Sequence, residues 1–191
     1  MIERSVDPIS IDVSALVQKS VASLYSNLVT RPTGRAVRQA IEQQLSLGEA
    51  VAVSLIDFTE VRILDFSCAD EVVAKLVMRY LDSDRPRNAY FLFRAVGELH
   101  THAVEEVLKR QSLAAVCDVG AGRFQLLGSV TPEELELWER VEVGGIGRLD
   151  DLAREMTPRP DGALDSLTRR RLVFRDADGG IRALSTLVEA A

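Results

Sequence analysis

One serine hydroxyl lies among several carboxylates between residues 57 and 71. The carboxylates are Asp57, Glu60, Asp65, Asp70 and Glu71, and the serine is Ser67. Carboxylates can serve acid–base chemistry, and a serine hydroxyl can accept a phosphoryl group that adds roughly two negative charges. The spacing places no histidine or lysine beside these groups. We therefore interpret the carboxylates as helix caps and solvated loop ends, and we predict no catalytic residue.

A second polar cluster, His100-Thr101-His102 followed by Glu105 and Glu106, contains residue types that bind zinc. However, alternate residues at the start of a helix rarely converge on one ion, and the chain has no other histidine. We interpret both histidines as solvent-exposed polar residues at a helix entrance. The sequence predicts neither a metal nor a cofactor.

The elements on either side of Ser67 are a strand and a helix. Upstream, Val51, Val53 and Leu55 belong to a short apolar run that is typical of a strand buried on both faces. Downstream, apolar residues recur at the spacing of an amphipathic helix. These are Ala69, Val72, Val73, Leu76, Val77, Tyr80 and Leu81. Ser67 then faces the unpaired N–H groups of the first helical turn, and with Asp70 it nearly matches a capping box. This pattern favours Ser67 as the N-cap, a role that does not exclude phosphorylation, because a helix N-terminus also favours an anion.

Other elements alternate between helix and strand up to about residue 128. A first N-terminal helix is predicted over residues 13–28, and Arg31-Pro32 breaks it. A second helix is predicted to begin at Ala36 and to stop at Gly48. Further elements are a strand at 89–93, a helix around Ala103 to Leu108, and two strands flanking the Gly120-Ala121-Gly122 turn. This alternation predicts an α/β domain with helices packed on a short mixed sheet.

The stretch from Ser54 to Val72 resembles the signature of the STAS-like domains, the superfamily of the bacterial anti-sigma-factor antagonists. Asp57-Phe58 corresponds to the Asp-Phe pair that ends a strand, and Ser67-Cys68-Ala69-Asp70-Glu71 to the motif that opens a helix. The resemblance covers about residues 10–128 and includes Thr30–Arg35. It implies that Ser67 is a candidate phosphoacceptor, and that Asp65, Ser67, Asp70 and Glu71 contact a partner of the histidine-kinase-like ATPase type.

A second unit is predicted from residue 130, so that the domains are 1–129 and 130–191. Thr131-Pro132-Glu133-Glu134 is a strong helix start, and Gly144–Gly147 is interpreted as a linker. Helices around 149–156 and 163–167 follow, and then two short strands, 172–174 and 181–184, joined by a Gly179-Gly180 turn. Three helices followed by a hairpin resemble a winged helix-turn-helix.

Winged helices often place a helix in the major groove of DNA. Arginines that could contact DNA are Arg159, Arg169, Arg170, Arg175 and Arg182, with Arg171 nearby. Against this, residues 130–191 contain nine Arg, no Lys and thirteen Asp or Glu. Because phosphate contacts dominate DNA affinity, an acidic module starts at a disadvantage. DNA binding, protein binding and a structural role therefore all stay open for this part.

Composition narrows the classes of function. The 191 residues are 47% hydrophobic and 27% charged, as expected for a globular protein, and the formal charge of −6 argues against a surface that coats nucleic acid or anionic membranes. No apolar run approaches a membrane span, and the N-terminus lacks a signal peptide's features. Cys68 and Cys117 have no metal-like spacing, so we predict reduced, buried thiols in a cytoplasmic protein of bacterial type.

The main hypothesis from the sequence is a non-enzymatic regulator that signals by protein–protein interaction, with Ser67 as its switch. The first alternative is a DNA-binding transcription regulator whose STAS-like part dimerises, as a homodimer, or senses a signal. The second is a structural subunit of a larger complex.

Overall fold

The computed structural model of the chain describes residues 7–12, 27–45, 52–82, 89–144, 146–148, 161–176 and 179–189. The strands are β1 (Asp7–Asp12), β2 (Asn27–Leu28), β3 (Ala52–Asp57), β4 (Ile63–Leu64), β5 (Ala89–Arg94), β6 (Ala114–Asp118), β7 (Phe124–Gly128), β8 (Ile146–Arg148), β9 (Phe174–Arg175) and β10 (Gly180–Arg182). The helices are α1 (Arg31–Leu45), α2 (Phe66–Ala69, Asp70–Ala74 and Lys75–Leu81 in succession), α3 (Glu98–Arg110), α4 (Pro132–Gly144), α5 (Asp161–Arg169) and α6 (Leu184–Glu189).

A five-stranded mixed sheet forms the centre of the fold, in the order β1-β3-β5-β6-β7. The first four of these strands run parallel, and β7 returns antiparallel to β6. Parallel strands need crossovers, and α2 and α3 provide two of them. The coarse prediction of an α/β protein with helices packed on a mixed sheet is confirmed.

The two faces of the sheet carry different cores because side chains alternate along each strand. On one face, Ile56, Phe91, Phe93 and Cys117 pack with the apolar sides of α1, α2 and α3. Alternating residues of the same strands point to the opposite face. The apolar run in β3 correctly indicated a strand that is buried on both faces.

The opposite face of the sheet is covered by the C-terminal part of the chain. Val53, Leu55, Leu92 and Val116 share one core with residues of α4, α5, β10 and α6. The C-terminal members of this core include Leu137, Trp138, Val141, Leu164, Leu167, Ile181, Leu184 and Leu187. The helices α4, α5 and α6 therefore pack on the central sheet, and the boundary at 129/130 stays a prediction about the chain's division.

Three local predictions are wrong. Leu28 lies in strand β2, paired in parallel with Leu64 of β4, so the predicted helix does not reach it; residues 13–26 lie outside the described part. Gly144–Gly147 is more than a linker, because Ile146–Arg148 forms β8 and pairs with β10. Leu184 belongs to α6 and not to the second hairpin strand.

Other predictions for the C-terminal part are confirmed where the chain is described. Thr131 and Glu134 form a reciprocal capping box, with the Glu134 N–H donating to Thr131 Oγ1 at 3.2 Å and the Thr131 N–H donating to Glu134 Oε2 at 2.9 Å. The β9–β10 hairpin is present, and β8 joins it in the order β8-β10-β9. The predicted helix at 149–156 lies outside the described residues.

Gly34 allows α1 and α2 to approach closely. A Cβ atom at this position would lie 2.9 Å from Cys68 Cα and 3.0 Å from Glu71 Cβ. Helix propensity alone would make Gly34→Ala stabilising by about 1 kcal/mol, but overpacking costs about 1–3 kcal/mol.

We expect Gly34→Ala to lower the free energy of unfolding by about 1 kcal/mol, because the clash involves backbone that cannot rotate away. Urea titration measures this change. Gly162→Ala in α5 is the matched control, since nothing lies within 4 Å of its added Cβ; it should be neutral or stabilising. Equal effects of the two substitutions would contradict the close approach of the helices.

Candidate functional site

Asp65, and not Ser67, is the N-cap of α2. Its backbone is extended (φ −80°, ψ 164°), and its Oδ1 accepts a 2.7 Å hydrogen bond from the Cys68 N–H. The same Oδ1 accepts a 2.8 Å hydrogen bond from the Ser67 hydroxyl. The predicted capping role of Ser67 is therefore wrong: the helix begins before it, at Phe66, and the partly buried Ser67 hydroxyl donates to a carboxylate.

Glu71 is buried and is not one of the solvated loop ends that the sequence indicated. Its side chain is 1% exposed, and three cations surround it. Lys75 Nζ lies 2.5 Å and Arg31 Nη1 3.1 Å from Oε1, and Arg38 Nε lies 3.3 Å from Oε2. Burial alone would raise the carboxyl pKa, but the hydrogen bonds from these cations outweigh burial, so the pKa of Glu71 is lowered.

Asp70 and Glu71, which the sequence predicted as partner contacts, have different surroundings at the start of α2. Asp70 is partly buried and pairs with Arg31 at 2.6 Å and Lys75 at 3.4 Å. Glu71 cannot touch a partner as an exposed group; it fixes Arg31, which comes from the start of α1. The segment Asp70–Ala74 is π-helical, a conformation that is often found at functional sites.

Ser67 lies in an open cleft of about 380 Å³, named here the Ser67 cleft. The cleft is lined by Arg31, Phe66, Ser67, Asp70, Val107, Arg110 and Gln111. It thus brings together the N-termini of α1 and α2 and the last turns of α3. Two guanidinium groups, one carboxylate and one serine hydroxyl share this space.

An aromatic ring marks the rim of the Ser67 cleft. The Phe66 side chain is apolar and 44% exposed. Its ring lies nearly perpendicular to the His102 ring, at a centroid distance of 5.5 Å. The Arg110 guanidinium carbon lies 6.0 Å from the Phe66 centroid, at the outer limit of a cation–π contact. Aromatic residues and arginine are both enriched at the centres of protein–protein interfaces.

The two thiols and the two histidines have structural surroundings. Cys68 and Cys117 are free and buried, as predicted, and burial raises the pKa of Cys68 to about 12. The prediction that both histidines are exposed is wrong for His100, which is buried against Phe58 at 6.4 Å between ring centroids. In the described part of the chain, no group of three or more His, Cys, Asp or Glu side chains could hold a metal ion.

The C-terminal arginines are not one uniform basic face. Arg169 and Arg175 are exposed. Arg182 pairs with Asp176, with 3.8 Å between Nη2 and Oδ2. Arg170, which the sequence offered as a possible DNA contact, has 19% of its side chain accessible and donates to Glu134 Oε2 at 2.9 Å and to the Ser129 carbonyl at 2.5 Å. Arg159 lies outside the described residues.

Sequence reasoning missed Arg31, Phe66 and Arg110 as members of the site. Arg110 is 43 positions from Ser67 along the chain, and no local pattern connects the two. One signal was available for Phe66: it is a large apolar residue next to the first polar turn of the helix, outside the apolar face of α2.

Comparison of the chain with protein-family models, with curated proteins and with solved structures found no match. No helix in the described residues combines the length and the apolar character that crossing a membrane requires.

Proposed function

We propose that the chain is a non-enzymatic regulatory protein that docks a protein partner at the Ser67 cleft, and that phosphorylation of Ser67 controls this docking. One observation carries the proposal: a serine hydroxyl held at 2.8 Å by a carboxylate lies in the same open cleft as the exposed Phe66 ring and two arginines. A phosphate there would add about two negative charges to the docking surface itself.

The proposal includes a STAS-like identity for the first part of the chain. The order of the elements supports it. Strand β3 ends at Asp57, directly before Phe58, a connecting segment that contains β4 follows, and Ser67 lies in the first turn of the next helix. In the residue pattern that this chain resembles, the phosphoacceptor comes two residues after an aspartate, and here that aspartate holds the Ser67 hydroxyl. The partner that the resemblance implies is a histidine-kinase-like ATPase.

The first experiment identifies the partner and its docking face. A photo-crosslinking amino acid replaces the exposed Gln111 at the Ser67 cleft in the full chain, expressed in its native cells. The matched control replaces Val143, which is 91% exposed on α4. We expect a protein captured from position 111 and not from position 143; capture from position 143 alone would place docking elsewhere and remove the proposal.

The second experiment tests the switch. The full chain is purified from native cells as wild type, Ser67→Ala and Ser67→Glu, with intact-mass measurement of each. We expect a phosphoryl mass increment in the wild type that Ser67→Ala lacks, and loss of the captured partner for Ser67→Glu, because a new charge in the cleft alters the electrostatic complementarity on which docking depends. Equal partner recovery for all three chains would remove the switch and favour a constitutive subunit of a complex.

DNA binding by a winged helix is the second candidate function. The β8-β10-β9 sheet with α4 and α5 supports a winged-helix interpretation, and the exposed Arg169 and Arg175 could reach phosphates. The engagement of Arg170 within the fold weakens it. A binding titration on a random-sequence duplex should show affinity that falls steeply with salt if this function holds; no binding at low salt would exclude it.

A further inference from the structure

Arg110 is the one cation of the Ser67 cleft that no described carboxylate neutralises. Arg31, the other arginine of the cleft, already pairs with Asp70 and Glu71. Within the described residues, Arg110 makes no ion pair, and its guanidinium lies beside the Phe66 ring. It is exposed at the end of α3, so its long side chain can turn without disturbing the core.

Phosphorylation would reverse the local electrostatics around Ser67. The phosphoryl group comes from a nucleoside triphosphate: the bond from Ser67 Oγ to phosphorus forms, and the bond to the departing nucleoside diphosphate breaks. The hydroxyl proton, which already points at Asp65 Oδ1, passes to that carboxylate and on to water. The resulting phosphate then repels the Asp65 carboxylate, which remains in place because it caps the Cys68 N–H.

We propose that the phosphate of phosphorylated Ser67 is received by Arg110, with Arg31 as a secondary contact, and that Arg110 leaves the Phe66 ring to bind it. This inference rests on the proposed function and specifies how the switch operates. A guanidinium binds phosphate oxygens with two parallel N–H donors, so the phosphate outcompetes an aromatic ring at the edge of contact range. Modification thereby changes the docking surface in two ways, by placing an anion in the cleft and by uncovering the ring.

The test uses the full chain with phosphoserine incorporated at position 67 by genetic encoding. Phosphorus NMR follows the second ionisation of the phosphate, whose unperturbed pKa is about 6. Asp65 raises this pKa and a contact with Arg110 lowers it, so the contribution of Arg110 is read from the difference between two phosphorylated chains. We expect the phosphate pKa to be higher by roughly 0.5 or more in the Arg110→Gln chain than in the chain that keeps Arg110.

Two comparisons keep the interpretation specific. Phosphorylated Lys109→Gln is the matched control, because Lys109 adjoins Arg110 but pairs with Glu105 at 2.7 Å outside the cleft; it should leave the value unchanged. The Arg110 Nε–H resonance should shift on phosphorylation. A phosphate pKa that Arg110→Gln does not alter would overturn the proposal.

These outcomes are independent of any partner. If the phosphate is held by Arg110 but partner recovery does not depend on Ser67, the proposed function fails while the phosphate contact stands. If partner recovery depends on Ser67 but the phosphate pKa ignores Arg110, the switch stands and its internal receiver is wrong.

Discussion

Replacing Gly128 by alanine is expected to lower the free energy of unfolding by about 4 kcal/mol, the largest effect of any single substitution considered for this chain. Gly128 ends β7 with a φ of +108°. A Cβ there would overlap the Leu113 carbonyl oxygen and lie 2.8 Å from Leu108 Cβ and 3.1 Å from Ala114 Cα. Two of these three neighbours, the Leu113 oxygen and the Ala114 Cα, are backbone atoms at the start of β6, the strand with which β7 pairs. Both backbone strain and overpacking therefore contribute.

Gly120→Ala separates the two contributions. Gly120 has a similar φ of +121°, but nothing lies within 4 Å of its added Cβ. Its free energy of unfolding should fall only by the cost of backbone strain, about 1 kcal/mol. Urea unfolding followed by circular dichroism measures both variants. If both lose the same stability, the close approach of β7 to the end of α3 is not as described.

Glu71→Gln is expected to destabilise the fold by about 3 kcal/mol, at the low end of the range for removing one partner of a buried ion pair. The neutral amide cannot balance Arg31, Arg38 and Lys75, of which Arg38 is only 13% exposed. Glu136→Gln is the control, because Glu136 makes a comparable pair with Arg140 at 3.1 Å but is 59% exposed. Its loss should be below about 0.5 kcal/mol.

Acid should reduce the difference between wild type and Glu71→Gln. The pKa of Glu71 is lower in the folded chain than its ordinary value of 4.5. The stabilisation from its charge is therefore fully present above pH 4.5, and it is lost as the pH falls through the lower, folded pKa. Urea titrations from neutral pH downward measure the gap between the two proteins. A gap that does not change in acid would mean that the carboxylate charge is not what stabilises this cluster.

Local signals in the sequence predicted much of the α/β framework. The alternating apolar run of β3, the glycine turn between β6 and β7, and the capping box at Thr131 each depend on neighbouring residues, so each is visible without a fold. Residue type alone left the N-cap of α2 ambiguous between two positions, 65 and 67. Both Asp65 and Ser67 have side chains that cap helices, and only the backbone conformation of Asp65 decides between them.

Long-range electrostatics could not be predicted. Glu71 was interpreted as a cap or solvated loop end because the sequence places no histidine or lysine directly beside it, yet Lys75 reaches it from the next helical turn and Arg31 and Arg38 approach it from α1. The role of Arg110 in the cleft depends on how α3 lies against α2. The pattern of β3 likewise indicated that both faces of the sheet are covered, but not that α4, α5 and α6 cover the second face.

The central claim is that one protein partner docks at the Ser67 cleft and that the state of Ser67 sets its affinity. The most direct measurement is a titration of the partner captured from position 111, purified, against the full chain with serine and with phosphoserine at position 67. We predict that the dissociation constant is at least roughly tenfold larger for the phosphorylated chain, which corresponds to a binding free energy that is less favourable by about 1.4 kcal/mol. Equal affinities for the two chains would contradict the account.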